Sequence, residues 1–512
     1  MKNIFALIVV SILLSAFQFS FGQNDSLDRK LQNIKTKYSL MGLSVTVIKN
    51  NEVAFTKSYG LRCLGRNLPV TDSTVYRIAS ISKTICTIAL LQLYEKNKFK
   101  LDEDVSRYIG FTLRNPNFPN DSITFRKLMS HTASLRDGTG YDDFLSASYN
   151  DTPPPSLQSL MVPGGTYYSA DMFSSSYSPS ASYFTYANID FGIVGTLVEK
   201  ISGERFDIYC KNHILQPLNM SASYNIQDLP NINNVAVLYR KSGSTWTPQV
   251  DNYNGVKPTP RNLSGYVIGS NGLLFAPQGG LRVSSYDLSK IMSVLMHNGV
   301  WNNVRILNDT TVNKMLASSW VYNGSNGDNY AGIFNAYGLG CHRTVNLLPG
   351  QVLFGHPGEA YGLISDMYFS KDSLYGIVFI TNGGVWGNGN YSGWYNIEED
   401  VYKAAFSELT ELTTTSVGQS SVTTPDNFLI EQNYPNPFNP STVISYQLPS
   451  KSDTKVIVYD MLGREVAALV NKVQNAGQYQ VTFNAPKLSS GIYICRVKAG
   501  EFNKSIKMLL LK

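Results

Sequence analysis

The chain has 512 residues, 43% of them hydrophobic, so it can bury a sizeable core and is not disordered as a whole. That length exceeds one ordinary domain. Charged residues are only 16%, and the net charge of +6 is spread along the chain without a basic block, which excludes a nucleic-acid surface of the usual kind.

Lys2, the apolar run 4–14 and the small residues Ser20 and Gly22 have the order of a secretory signal peptide, placed at 1–22. The run is too short to span a bilayer comfortably, and no later segment is apolar enough, so no transmembrane segment is expected after cleavage. Residues 25–38 then read as an amphipathic helix. Strands at 42–50 and 53–60 follow, joined by the turn-prone pair Asn50-Asn51. From Ser80 to Lys96 the residues Ile81, Ile85, Ile88 and Leu91 recur at helical spacing. Segments 123–131, 190–201 and 206–214 also read as helices, whereas 138–180, rich in Pro, Gly, Ser and Tyr, reads as a long loop. Strands return at 352–358, 361–369 and 374–382 before a last helix at about 397–409. Strands at both ends with helices between them predict an α+β domain over 23–410 whose ends share one sheet. The Thr/Ser-rich stretch 411–426 is a linker. Beyond it, apolar or alternating runs at 442–448, 454–461, 478–485, 491–500 and 505–512 predict a small all-β sandwich over 427–512.

Five scattered cysteines (63, 86, 210, 341, 495) define no disulfide framework, and Cys86 reads as a buried thiol. Neither they nor the five histidines show a metal-ligand spacing, so no metal or cofactor is expected.

The chemistry centres on Ser80 and Lys83. Three residues apart at a helix start, they project from one face. A desolvated Lys can lose its proton near neutral pH and take that of a Ser hydroxyl, and free backbone N–H groups at the helix start can hold an oxyanion. The spacing alone is weak, because Ser452 and Lys455 repeat it where a strand begins and positions three apart face opposite sides.

The flanks add more. The segment 76–109 around Ser80, LMSHTASL at 128–135, Tyr186-Ala187-Asn188 within 184–203, PQGGLRVSSYDLSKIM at 277–292 and His356-Pro357-Gly358 within 354–362 occur in this order. Together they resemble the class C β-lactamase-like serine hydrolases, a family that includes penicillin-binding DD-peptidases, D-amino-acid amidases and esterases. The resemblance implies a β-lactamase/transpeptidase-like fold, an antiparallel sheet with a helical subdomain. It implies catalytic roles for Ser80 as nucleophile, Lys83 as base and Tyr186 as proton relay, with the phenol kept ionisable by the nearby ammonium. Asn188, His356, Gly358 and Glu359 would line the substrate site, with the N–H groups of Ser80 and Glu359 as oxyanion hole and His131 structural. The third motif departs from the Lys-Thr-Gly of β-lactamases proper. Pro357 has no hydroxyl and Glu359 adds a negative charge, so an ester, an amide or a peptide with a free amine suits the site better than a β-lactam. The tail, with NYPNPFNPSTVISYQLP at 433–449, resembles the C-terminal sorting domain of type IX secretion cargo. The expected protein is thus a secreted or cell-surface serine hydrolase whose partners are a small-molecule or peptide substrate and the type IX machinery. The alternatives are a D-Ala-D-Ala carboxypeptidase or D-amino-acid peptidase, and a catalytically silent binding protein on the same fold.

Overall fold

The burial of one short strand shows how the first unit is layered. In β1 (Gly42–Lys49) every residue but the last is buried, as a strand covered on both faces requires. Leu43, Val45 and Val47 join a core with Leu27, Leu31 and Ile34 of α1 (26–37) and with Ile397, Val401 and Tyr402 of the last helix. Ser44 and Thr46, pointing the other way, meet the hydroxyls of Tyr76 and Ser285 on the opposite side. The structure is a computed structural model that describes residues 26–390, 393–415, 428–430, 432–433 and 436–511. The signal peptide expected at 1–22, and residues 416–426 of the expected linker, lie outside those residues.

β1 sits inside a nine-stranded antiparallel sheet. Its other strands are β2 (Glu52–Cys63), β3 (Leu68–Pro69), β4 (Trp320–Val321), β5 (Ala336–Tyr337), β6 (His342–Thr344), β7 (Leu353–Ala360), β8 (Leu363–Ser370) and β9 (Tyr375–Thr381). The order is β4-β5-β6-β7-β8-β9-β1-β2-β3, so the first and last long strands are neighbours, with Val45 opposite Phe379. One face carries α1 and α6 (Asn396–Thr415). The other carries the larger core, built on α2 (Ser82–Glu95), α3 (Thr139–Asn150), α4 (Asn188–Ser202) and α5 (Ser285–Met296). Ten consecutive residues of α2, from Ser82 to Leu91, are buried, which makes it a central helix without a solvent face. This is the expected α+β architecture, an antiparallel sheet with a helical subdomain.

The segment 138–180 is not loop throughout. Its first residues form α3, which inserts Tyr141 and Phe144 into the core. Its polar composition hid a face only a few side chains wide.

The second unit, beginning at residue 412, is a strand-rich body of its own. One sheet orders β10 (Leu429–Ile430), β11 (Ser441–Leu448) and β14 (Gly477–Asn484). A second orders β13 (Glu465–Gln474), β12 (Ser452–Tyr459), β15 (Gly491–Ala499) and β16 (Phe502–Leu510). Ile444, Leu448, Val456, Val458, Cys495, Val497 and Met508 fill the core. Ser452 opens β12, so its spacing to Lys455 lies along a strand. No described helix is long and apolar enough to cross a membrane.

Candidate active site

Ser80 lies on a turn of 3-10 helix, Ala79–Ile81, that runs directly into α2. The regular helix begins two residues later than the sequence pattern suggests. Ala79 holds a left-handed backbone (φ 49°), a strained conformation for a residue with a side chain. The turn is pinned on both sides. Ser82 Oγ accepts from the Leu281 N–H at 3.1 Å, and the Tyr224 hydroxyl donates to the Ser82 carbonyl at 2.8 Å. Ser80 itself is partly exposed, whereas Lys83 beneath it is fully buried.

Lys83 Nζ lies 3.0 Å from Ser80 Oγ, 2.9 Å from Asn188 Oδ1 and 2.9 Å from the carbonyl oxygen of Gln278. Among the described residues no carboxylate forms an ion pair with it. Burial therefore dominates and pulls its pKa down to about 7, with Asp137 and Asp190 at longer range working against the drop. A neutral amine has two protons and one lone pair. Asn188 Oδ1 and the Gln278 carbonyl can only accept, so they take the two protons and leave the lone pair for the Ser80 hydroxyl.

Asn188 is the first residue of α4, and Asp137 fixes it. The Asp137 carboxylate accepts from the N–H of Asn188, the N–H of Ile189 and Asn188 Nδ2, each at 2.9 Å. A carboxylate at a helix N-terminus is a favourable cap, and here it also orients the amide so that its oxygen faces Lys83. Asp137 belongs to none of the short motifs, and Gln278, inside the element at 277–292, carries no role from the sequence alone; the fold brings both to the site.

Tyr186 lies beside the Ser80 hydroxyl and presents its ring to Lys83, with Nζ 4.8 Å from the centroid. Burial pushes the phenol well above its ordinary value. Desolvation holds it neutral, which departs from the expectation of a phenol kept ionisable by the ammonium.

His356, Gly358 and Glu359 sit on β7, which runs past the catalytic turn. Gly358 makes the approach possible: a Cβ there would lie 2.4 Å from the Ile78 carbonyl oxygen and 2.5 Å from Ser365 Oγ. His356 is fully buried, with Nε2 2.8 Å from the Tyr337 hydroxyl and Nδ1 2.6 Å from the Pro357 carbonyl. Both ring nitrogens are engaged and burial drives its pKa well down. The imidazole is therefore an uncharged brace behind Tyr186 (ring centroids 6.1 Å apart) and does not reach the substrate space assigned to it from the sequence. Glu359 is exposed, and the Tyr395 hydroxyl donates to its carboxylate at 3.2 Å.

His131 does more than its turn suggests. It is buried, packs against the Tyr186 ring at 4.4 Å and pairs through Nδ1 with Asp190 Oδ2 at 2.8 Å. Burial pushes the Asp190 carboxyl up and the His131 imidazole down. All five cysteines are buried and unbridged.

Residues 27–401 match the family model described as Beta-lactamase. The chain belongs to the beta-lactamase family. Residues 432–512 match a second model, the Secretion system C-terminal sorting domain, which marks the chain as cargo for secretion. Among curated relatives, Protein flp of Staphylococcus aureus (strain N315) is 24% identical over 225 residues, covering 43% of this chain and 43% of its own length. The chain thus spans less than half of that relative. Two solved structures share the fold. The octameric penicillin-binding protein homologue from Pyrococcus abyssi has a TM-score of 0.55 at 18% identity, covering 95% of this chain and 96% of its own. D-amino acid amidase from Ochrobactrum anthropi SV3 has a TM-score of 0.55 at 17% identity, covering 76% of this chain and 99% of its own. Members of this beta-lactamase family are serine hydrolases, amidases and esterases among them.

Proposed function

We propose that this beta-lactamase family member is an exported serine hydrolase that cleaves an ester or amide bond through an acyl-enzyme on Ser80. The observation that carries the reading is the setting of Lys83: buried, unpaired with any carboxylate among the described residues, and held by two acceptors that leave its third position on Ser80 Oγ. Lys83 takes the proton as Ser80 Oγ attacks the carbonyl carbon, and the N–H groups of Ser80 and Glu359 hold the oxyanion. Tyr186, protonated, hydrogen-bonds the leaving atom and passes the proton from Lys83 to it. The neutral Lys83 then deprotonates the water that releases the acyl group. Asn188 holds Lys83, while Gly358 lets β7 close on the turn.

Glu359 at the mouth and the uncharged His356 offer no cation to a β-lactam carboxylate. A second reading, a D-amino-acid amidase or peptidase, gains from the same exposed Glu359, which suits a substrate ammonium.

Intact mass after incubation with a fluorophosphonate and with a penicillin tests the assignment in wild type and Ser80→Ala. Labelling of the wild type by the phosphonate alone supports an esterase or amidase, and labelling by both a penicillin-binding enzyme. No adduct rejects the proposal in favour of a silent binding protein. D-phenylalaninamide turned over faster than short esters would favour the second reading.

The sorting domain supports delivery to the surface or medium through type IX secretion, after a signal peptide at 1–22. Deleting 427–512 should trap the protein in the periplasm, and unchanged export would overturn this route.

A further inference from the structure

The first unit contains a cavity of about 680 Å³ whose lining does not include Ser80, Lys83 or Tyr186. Four guanidinium groups line it, from Arg77, Arg205, Arg261 and Arg282, against a single carboxylate in the wall, Asp151. Two of the four are neutralised from behind. Arg205 pairs with Asp207 at 2.6 Å and Arg282 with Asp251 at 2.7 Å, and both of those carboxylates are buried. The other two have no ion pair among the described residues. Arg77 donates from Nε to the Gly279 carbonyl at 3.2 Å and stacks its guanidinium 5.2 Å from the Tyr361 centroid. Arg261 donates from Nη1 to the Leu274 carbonyl and lies 4.5 Å from the Tyr149 centroid.

Each of these two arginines therefore spends one donor nitrogen on a backbone carbonyl and is positioned by an aromatic face. A guanidinium presents five N–H donors in a fixed fork that fits carboxylate and phosphate oxygens. Desolvation lowers the pKa of Arg261, with Tyr149 and Asp207 opposing the drop and Arg282 adding to it. Tyr149, Tyr253 and Phe275 supply apolar surface beside the charges. The volume falls within the ~300–1,000 Å³ typical of small-molecule sites. Arg77 is partly buried and Arg261 exposed, so both guanidinium groups can be reached from solvent.

We propose that this cavity binds a small organic anion, an aromatic or apolar body carrying a carboxylate or phosphate monoester, with Arg77 and Arg261 as its charge-reading residues. Its lining omits Ser80, Lys83 and Tyr186, although Arg77 and Gly280 lie close to the catalytic turn in sequence.

Calorimetric titration of the full chain with phenylacetate, phenyl phosphate and the uncharged phenylacetamide tests this. At least one acid should bind saturably, about tenfold or more tighter than the amide, as the loss of one charge-assisted contact implies. Preference for the phosphate or the carboxylate identifies which anion the site takes. Arg261→Gln and Arg77→Gln should each weaken the acid about tenfold and leave amide binding unchanged, with Arg261→Lys intermediate. Equal binding of acid and amide, no saturable binding of any probe, or acid binding that survives both substitutions overturns the proposal. The acid-to-amide comparison in wild type decides the matter even if a variant folds poorly.

Discussion

Gly358→Ala is the sharpest single test of how β7 and the catalytic turn fit together. The new methyl carbon would lie 2.4 Å from the Ile78 carbonyl oxygen and 2.5 Å from Ser365 Oγ, where ordinary contact begins near 3.4 Å. Neither neighbour yields easily: Ile78 is backbone, and Ser365 Oγ sits 3.1 Å from that same carbonyl oxygen and 3.2 Å from the Gly358 carbonyl oxygen. The strand must therefore retreat from the turn by about 1 Å. A displacement of that size at a reacting centre costs on the order of 100-fold in rate, and overpacking costs ~1–3 kcal/mol of stability. The second-order rate of fluorophosphonate labelling, read beside a urea melt, separates the two effects. Labelling should fall about 100-fold in protein that still unfolds cooperatively. A folded Gly358→Ala protein that labels within twofold of wild type would refute the idea that β7 must touch the turn.

Other expectations follow from the buried charges. The labelling rate should rise with pH and level off above about 7, where Lys83 is neutral, and a flat profile from about pH 5 to 9 would remove Lys83 as base. Asp137→Asn removes the carboxylate that raises the Lys83 pKa, so the midpoint of that profile should move down; an upward move contradicts the assignment. His131→Asn should slow labelling about tenfold by freeing the Tyr186 ring and should cost ~1–3 kcal/mol; an unchanged rate in the folded variant would show that the His131–Asp190 pair only fills space. Glu398, buried beside Asp366, is pushed up from 4.5 to about 8, so the folded state binds more protons than the unfolded one across that window. Stability should therefore fall as pH rises from ~4.5 to ~8, and Glu398→Gln should flatten the slope, measured as urea midpoints along the pH range.

The residues legible in the sequence were those whose chemistry is local. Ser80 and Lys83 share a helical turn, and Tyr186 and Asn188 flank a helix start, but it is the ordered set of motifs and the family resemblance they carry that single these pairs out. Asp137 escaped because nothing near it in sequence reveals what it holds, and Gln278, although inside the element at 277–292, because it acts through a backbone carbonyl that no side-chain pattern encodes. Asp137 reaches Asn188 across 51 positions and Gln278 reaches Lys83 across 195. His356 was placed on the right strand, but strand position does not say whether a ring faces the cleft or a neighbouring tyrosine. β13 went unread because its burial follows no two-residue alternation, and its Lys and Asn face outward without breaking the ladder. The phenol of Tyr186 shows a different limit, since its ionisation follows from desolvation, which no motif encodes.

The sheet order carries a consequence for folding. β1 is complete near residue 49, yet its partner β9 ends at Thr381, and β7, which backs the catalytic turn, lies at 353–360. A chain that has delivered only its first few hundred residues holds Ser80 and Lys83 without a strand behind them. In that chain water reaches the amine, which stays an ordinary ammonium and cannot take a proton. Reactivity is thus acquired at closure of the sheet, one of the slow, non-local steps of folding. A polypeptide carried unfolded across a membrane would travel with its nucleophile chemically silent.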